Sequence, residues 1–305
     1  LSSSNLSDTN EKLNDKDTSI HFFKFLSENV SFDDNYTSLP FISDSDEVEE
    51  DFEDKFVFLK SEKEHAVFKE EWLSSVDVAF VSPDYSQETK KYFVDYFGVQ
   101  QFSDEIVVKQ IILSEDYHDT IVGDINEDYN SSKSFVDYCY AHNEFFESGS
   151  LRNYSLSVYD IKGENVWCLS EDHIYFLTDI FEDYSKKEWL DDDWMYSLDS
   201  DYYNGISNKV DFKKFIEQKF WVEELSDKSF YIDVVKRNLK SIIVNTSGNN
   251  DGDGKKNIDF IKFLDDNYSL IFEEEKDSDV FSEIYLVSDD VSDLKKKKNV
   301  YVYDQ

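Results

Sequence analysis

The chain repeats one pattern of large side chains three times, at residues 22–26 (FFKFL), 135–139 (FVDYC) and 260–264 (FIKFL). Each copy places them at positions i, i+1, i+3 and i+4, and this spacing gives an α-helix one apolar face. We call this pattern the helix motif. It predicts three helices that bury these side chains, including Phe25, Phe263 and the small core residue Cys139.

A second motif occurs twice between these copies. Residues 97–104 (FGVQQFSD) are matched by residues 220–227 (FWVEELSD). Aromatic side chains at helical spacing precede both copies, so the motif is expected to close a helix. Short helices are predicted to follow at residues 105–112 and 229–243.

Short β-rich segments lie between the two kinds of motif. Three stretches of the chain each carry a pair of them: residues 55–59 with 76–81, 156–159 with 166–168, and 284–287 with 300–303. The predicted fold class is therefore α+β, in tandem repeated modules. Each module is expected to contain a helix, then a β-hairpin or small antiparallel sheet, then further helices.

The motifs also predict the division of the chain, whose 305 residues suffice for about two domains of typical size. The predicted parts are a flexible lead-in at residues 1–17, module 1 at 18–133, module 2 at 134–256 and the truncated start of module 3 at 257–305. The chain begins at Leu1 and its one methionine is Met195. We therefore expect a fragment of a longer protein or a processed product.

Charge and aromatic content restrict the class of protein. The net charge is −37, from 31 basic and 68 acidic residues. Such acidity argues against binding nucleic acid through its phosphates, which requires a basic surface. Disorder is not expected either, since 17% of the residues are aromatic and each buries a large area.

The expected compartment is a reducing cytoplasm, because Cys139 and Cys168 are the only cysteines in a long chain. No apolar run approaches the ~20 residues of a membrane span, so no membrane partner is expected.

One segment resembles the start of a calcium-binding loop. Asn249, Asp251 and Asp253 offer oxygen ligands before Gly254. Position twelve of such a loop should be a bidentate acid, yet it is Phe260 of the helix motif. A linker between modules is the favoured interpretation, with these residues as the candidate metal ligands.

The other polar clusters are interpreted as solvated surface. They are the acidic run at residues 44–54, the acids at 191–193 and the lysines at 295–298, which are expected in a turn between the last two strands. The five histidines lack metal-ligand spacing. No catalytic residue and no cofactor are predicted. Trp72 and Trp167 are matched to each other and expected in the core.

The order of these elements resembles the module that follows the Bergerat-fold ATPase domain in sacsin-like and NO VEIN-like large proteins, which include bacterial relatives. The residues that carry the resemblance are 162–167 (KGENVW), 173–176 (HIYF), Trp189-Leu190 and 97–99 (FGV), with 220–222 (FWV) as a copy that lacks the glycine. The likeness spans residues 18–305, although no glycine precedes Trp72. It implies a large multidomain ATPase with chaperone-like or defence-related roles. The motifs of its nucleotide site do not occur here, so no ATP-binding residue is assigned.

The sequence thus favours a non-enzymatic scaffold or interaction region of a larger intracellular, bacterial protein. Its partners would be other proteins or neighbouring modules of the same chain, and any ATPase domain would lie elsewhere in the full-length protein. Two alternatives stay open. One is an acidic DNA mimic or anti-nuclease protein, indicated by the charge. The other is a cryptic hydrolase with its carboxylate site hidden among the acids.

Overall fold

A computed structural model describes most of the chain, and the structural statements below concern those residues. They are residues 12–29, 39–49, 52, 55–60, 71–169, 173–247, 255–267, 285–287 and 294–296. The chain forms two compact units, Leu1–Phe146 and Glu147–Gln305. Both contain helices and small sheets, so the predicted α+β class is confirmed.

Unit 1 contains five helices and five strands in its described part. The helices are α1 (Lys16–Asn29), α2 (Gln87–Tyr96), α3 (Asp104–Ile106, followed by a π-helix at Val107–Ile112), α4 (Glu115–Ile125) and α5 (Tyr129–Ala141). The strands are β1 (Phe41–Ile42), β2 (Val48–Glu49), β3 (Phe56–Leu59), β4 (Val78–Phe80) and β5 (Gln100–Gln101). A 3₁₀ turn, Glu71–Leu73, lies between β3 and β4.

The strands of unit 1 lie in the order β2-β1-β4-β3-β5. Strands β1 and β2 form an antiparallel hairpin, which an antiparallel bridge between Ser43 and Val81 joins to β4. Strand β3 pairs in parallel with both β4 and β5. The hairpin predicted from residues 55–59 and 76–81 is therefore wrong, because a parallel pair requires a crossover connection and the long intervening chain provides one.

Aromatic side chains fill the core of unit 1 beside α1. Phe23 lies at its centre, with ring centroids 4.9 Å from Phe93 and 6.1 Å from Phe97. Leu26, one helical turn later, is buried in the same cluster. Edge-to-face contacts of this kind add about 0.5–1.5 kcal/mol each to the burial of apolar area.

Unit 2 contains five helices and six strands in its described part. The helices are α6 (Asp179–Ser185), α7 (Lys209–Phe220), α8 (Asp227–Ser229, followed by a π-helix at Phe230–Lys236), α9 (Arg237–Ser247) and α10 (Lys255–Asp266). The strands are β6 (Ser155–Tyr159), β7 (Asn165–Leu169), β8 (Ile174–Tyr175), β9 (Tyr196–Leu198), β10 (Tyr285–Val287) and β11 (Leu294–Lys296).

The main sheet of unit 2 has the same strand order and directions as that of unit 1. Its order is β7-β6-β9-β8, with antiparallel pairs except for β8 and β9, which are parallel. Glu223 adds a parallel bridge beside Tyr175, in the place of β5. The predicted hairpin at residues 156–168 is confirmed as β6 and β7.

A tyrosine hydroxyl forms a hydrogen bond with the equivalent strand in each of the two sheets. The hydroxyl of Tyr85 accepts the backbone N–H of Ile42 on β1 at 3.0 Å. The hydroxyl of Tyr202 accepts the N–H of Ser157 on β6 at 2.8 Å. Tyr85 lies four residues after Val81, which follows β4 and bridges Ser43, and Tyr202 lies four residues after Leu198 of β9, which pairs with Val158. The likeness between the units therefore extends to individual hydrogen bonds.

The second sequence motif closes a helix in each unit, as predicted. Gly98 follows α2 with φ +73°, and Trp221 follows α7 with φ +62°, so both have left-handed backbone. Ser103 and Ser226 then cap the short helices α3 and α8 through their side chains. In the π-helices that follow, buried residues occupy the same four positions: Val107, Val108, Ile111 and Ile112 in unit 1, and Phe230, Tyr231, Val234 and Val235 in unit 2.

Strands β10 and β11 contradict one prediction from the sequence, the turn at residues 295–298. Strand β11 pairs antiparallel with β10, with Lys295 opposite Leu286 and Lys296 opposite Tyr285. These two lysines lie in a strand, and the turn predicted there is wrong. The predicted partner strand at residues 300–303 and residues 1–11 of the lead-in predicted at 1–17 lie outside the described residues. In the described part of that lead-in, Leu13 is buried in the core of unit 1 and α1 begins at Lys16. None of the helices that the structure describes has the length and apolar character needed to cross a membrane.

Candidate interaction site

Trp72 lies on the 3₁₀ turn of unit 1 and packs against α5. Its side chain is fully buried, as that of Leu73 nearly is. The ring centroids of Trp72 and Phe135 are 5.3 Å apart at 71°, and Tyr138 lies at 5.2 Å. Phe135 and Tyr138 are positions i and i+3 of the helix motif, which share one side of a helix. We call Trp72 and Leu73 the first Trp-Leu turn.

Polar contacts hold this turn and α5 in place. The buried carboxylate of Asp124 on α4 accepts the backbone N–H of Ser75 at 2.8 Å and its hydroxyl at 2.5 Å. Tyr138 donates its hydroxyl to Asp104 at the start of α3, at 3.0 Å. The tryptophan and the helix that covers it are thus fixed by separate hydrogen bonds.

Trp189 and Leu190 form the second Trp-Leu turn, between β8 and β9. The centroid of Trp189 lies 5.1 Å from Phe260 and 5.3 Å from Phe263, both on α10. Its indole N–H donates to the carboxylate of Asp259 at 3.0 Å. Phe260 and Phe263 are again positions i and i+3 of the helix motif, so the same two positions contact the tryptophan in both units.

The three copies of the motif bury different sides. Helix α5 buries all four motif positions, including Cys139, as predicted. Helix α10 buries Phe260 and Phe263, whereas α1 buries Phe23 and Leu26 and leaves Phe25 58% exposed. The prediction that all four positions are buried in each copy is therefore wrong for α1. The helices can bury different positions because positions i and i+3 point to a different side of a helix from positions i+1 and i+4.

The structure also corrects the matching of the tryptophans. Trp167 lies on the half-buried strand β7, whereas Trp72 precedes β4 in a turn. Trp189 is the residue that matches Trp72 in strand order, in burial and in its contacts. The dipeptide Trp-Leu, present in the sequence at residues 72–73 and 189–190, was the signal for this match.

The candidate calcium ligands Asn249, Asp251 and Asp253 lie outside the described residues. In the part of the chain that is described, no group of three or more His, Cys, Asp or Glu side chains is placed to hold a metal ion. Asp192, from the acids at 191–193, forms an ion pair with Lys162. A hydrolase site among the acids stays a prediction.

The acidic run at residues 44–54 is not simply a solvated loop. Part of it is strand β2, and Phe52 is buried and stacks on Phe41 with centroids 4.2 Å apart. Asp44 and Glu49 form ion pairs with Lys60 and Lys55. These carboxylates are therefore already engaged by the lysines of their own unit.

The remaining candidates are dispersed. The four described histidines make separate contacts, and His65 lies outside the described residues. Trp221 is 45% exposed, with the guanidinium of Arg152 5.0 Å from its ring centroid. Among the described residues, neither Cys139 nor Cys168 forms a disulfide. Burial raises the pKa of the Cys139 thiol, as expected for a core residue.

Comparison with known proteins found no matching family model, no similar curated protein and no similar solved structure. The internal contacts of the chain itself are therefore the basis for its functional interpretation.

Proposed function

We propose that this chain is a non-enzymatic scaffold region built from tandem α+β modules, which serves by binding neighbouring modules or other proteins. The observation that carries the proposal is the recurring contact between a Trp-Leu turn and a helix motif. Trp72 contacts Phe135 and Tyr138, and Trp189 contacts Phe260 and Phe263.

Several shared features support the tandem organisation. The two units share the same strand order, the same tyrosine hydrogen bond and the same left-handed helix end followed by a π-helix. Each feature is a packing or hydrogen-bonding position. Such positions favour an architectural role over a catalytic one, because a catalytic site requires converging reactive groups. The module boundaries at residues 133/134 and 256/257 stay a prediction.

We further propose that the larger protein is cytoplasmic and sacsin-like, with any ATPase domain outside these residues. This proposal rests on the motifs at residues 162–167, 173–176 and 189–190. In the structure Trp189 and Leu190 are buried and precede β9, which pairs in parallel with β8.

The scaffold proposal can be tested in cells that produce the protein. Lysine-reactive cross-linking and mass spectrometry of the tagged chain should find other proteins, or other regions of the same polypeptide, at fixed stoichiometry. A matched control is the tagged chain expressed alone and purified. The proposal fails if no such cross-links form and the purified chain turns over a substrate in a way that a carboxylate substitution abolishes.

The charge favours a second candidate, an acidic protein that mimics DNA. A net charge of −37 would draw a basic DNA-binding partner by long-range attraction. The expected result is competition with DNA for a basic nuclease, weakening steeply as salt rises. Unchanged nuclease activity at low salt would contradict this candidate.

A further inference from the structure

The outward side of α1 carries two motif positions that the other motif helices use for a tryptophan. These are Phe25, which is 58% exposed, and Phe22, which is partly buried and also packs against the core of unit 1. The opposite side of the helix places Phe23 and Leu26 in the core of unit 1. Phe25 therefore contributes little to that core, although an exposed phenylalanine is costly in water.

The matching positions of α5 and α10 are covered. Phe22 matches Phe135 and Phe260, and Phe25 matches Tyr138 and Phe263, in the order of the helix motif. In both α5 and α10 the cover is a tryptophan with ring centroids 5.1–5.3 Å from the motif rings. In this chain a tryptophan ring is therefore the group that packs on positions i and i+3 of the helix motif.

A third residue of α1 offers a hydrogen-bond acceptor for the indole N–H of a tryptophan. Asp259 directly precedes the motif of α10 and accepts the indole N–H of Trp189. The residue in this place on α1 is His21, which is exposed. Its Nδ1 lies 2.6 Å from the backbone carbonyl of Asp17, which can only accept, so Nδ1 donates. Nε2 of the neutral ring is then an acceptor directed away from this bond.

We infer that His21, Phe22 and Phe25 form a docking site on α1 for the Trp-Leu turn of a further module of this kind. The inference rests on the modular organisation proposed above and names the partner surface. In this chain Trp72 and Trp189 are both buried under their own helices. The occupant is therefore a module whose Trp-Leu turn has no motif helix of its own to cover it.

The test uses two full-length chains. In the first, which we call the opened chain, the substitutions Phe260→Asp and Phe263→Asp place charges against Trp189 and so expose the second Trp-Leu turn. It also carries Phe25→Asp, which removes its own docking site and so prevents it from binding itself. The second is the wild-type chain, which supplies α1. Sedimentation of the mixture should show a heterodimer that neither chain forms alone. Amide exchange of the opened chain should first show that its unit 1 is as protected as in the wild type.

Substitutions in the wild-type partner then locate the site. Phe25→Asp should weaken association about tenfold or more, equal to about 1.4 kcal/mol. His21→Leu should also weaken it, and His21→Gln, which keeps an acceptor, should restore it. Val210→Asp is the matched control, because Val210 is also apolar and 66% exposed but lies in unit 2. It should leave association unchanged.

A second probe covers the case in which the opened chain does not fold. A synthetic peptide of residues 184–195, which contains Trp189 and Leu190, should shift the NMR signals of α1 in the wild-type chain and not in Phe25→Asp. Absence of both the heterodimer and these shifts overturns the docking site. The scaffold proposal would survive that result if cross-links to proteins were still found in cells, since they could form through other surfaces.

Discussion

Trp221 ends α7 in the left-handed conformation, φ +62°, that Gly98 has at the end of α2, φ +73°. Left-handed backbone places the Cβ of an L-residue close to its own carbonyl and costs about 1–2 kcal/mol. Glycine avoids this cost at residue 98. Trp221 bears it at residue 221, where its indole lies against Gly149 and near Arg152.

The first prediction concerns this helix end. Gly98→Ala should destabilise the chain by about 1 kcal/mol, through backbone conformation alone, because apart from its two chain neighbours no described residue has an atom within 4 Å of the new Cβ. Gly123→Ala is the matched control. Gly123 also has open space around it but lies inside α4, where alanine should stabilise by about 0.5 kcal/mol. Urea denaturation should show that the two substitutions change the free energy of unfolding in opposite directions. Equal changes would contradict the left-handed conformation of Gly98.

The second prediction separates two positions that look identical in sequence. Phe25 and Phe263 both occupy position i+3 of the helix motif. Phe263→Ala should cost about 3 kcal/mol, because the side chain is buried against Trp189 and Phe230. Phe25→Ala should change the free energy of unfolding by less than about 0.5 kcal/mol, as for an exposed site. Thermal or urea denaturation of the two variants provides the measurement.

These two phenylalanines also show how far the sequence could predict the fold. Periodicity placed the helices around Phe23, Phe135 and Phe260 correctly, because helical spacing of large side chains is a local property. It could not predict which side of each helix is covered. That depends on whether a Trp-Leu turn lies opposite, which is a tertiary contact between residues far apart in the chain.

Strand pairing had the same limitation. The hairpin of β6 and β7 was predictable because a short turn containing Gly163 joins its strands. The parallel pair of β3 and β4 was not, since nothing within either strand determines its direction. The candidate site followed from the sequence only in part. Trp72 was expected in the core, but it was matched with Trp167 in place of Trp189.

The third prediction concerns tyrosines in unit 2. Burial, with Asp233 and Glu223 nearby, raises the pKa of Tyr175 well above its usual range, and its buried hydroxyl has no hydrogen-bond partner among the described residues. An unfolded tyrosine titrates near pH ~10. Above that pH the folded state keeps the proton that the unfolded state loses, so stability should fall as pH rises.

Tyr175→Phe should therefore stabilise the chain by about 1 kcal/mol at neutral pH, because it removes an unpaired buried hydroxyl. It should also lessen the loss of stability above pH ~10. Tyr184→Phe is the contrasting variant. Burial also raises the pKa of Tyr184, but its hydroxyl donates to Asp227 at 2.7 Å, so its removal should not stabilise. Melting temperatures across alkaline pH would test both, and a destabilised Tyr175→Phe would refute the prediction.

The fourth prediction concerns the hydrogen bond between Trp189 and Asp259, which joins the second Trp-Leu turn to α10. Asp259→Leu removes the acceptor and leaves the indole N–H of a buried tryptophan unpaired, which should cost about 1–3 kcal/mol. Asp259→Asn keeps an acceptor oxygen and should cost less. In the Trp189→Phe background no indole N–H exists, so Asp259→Leu should lose most of its effect. This double-mutant cycle isolates the bond from the packing of the rings, and additive effects would show that the bond contributes nothing.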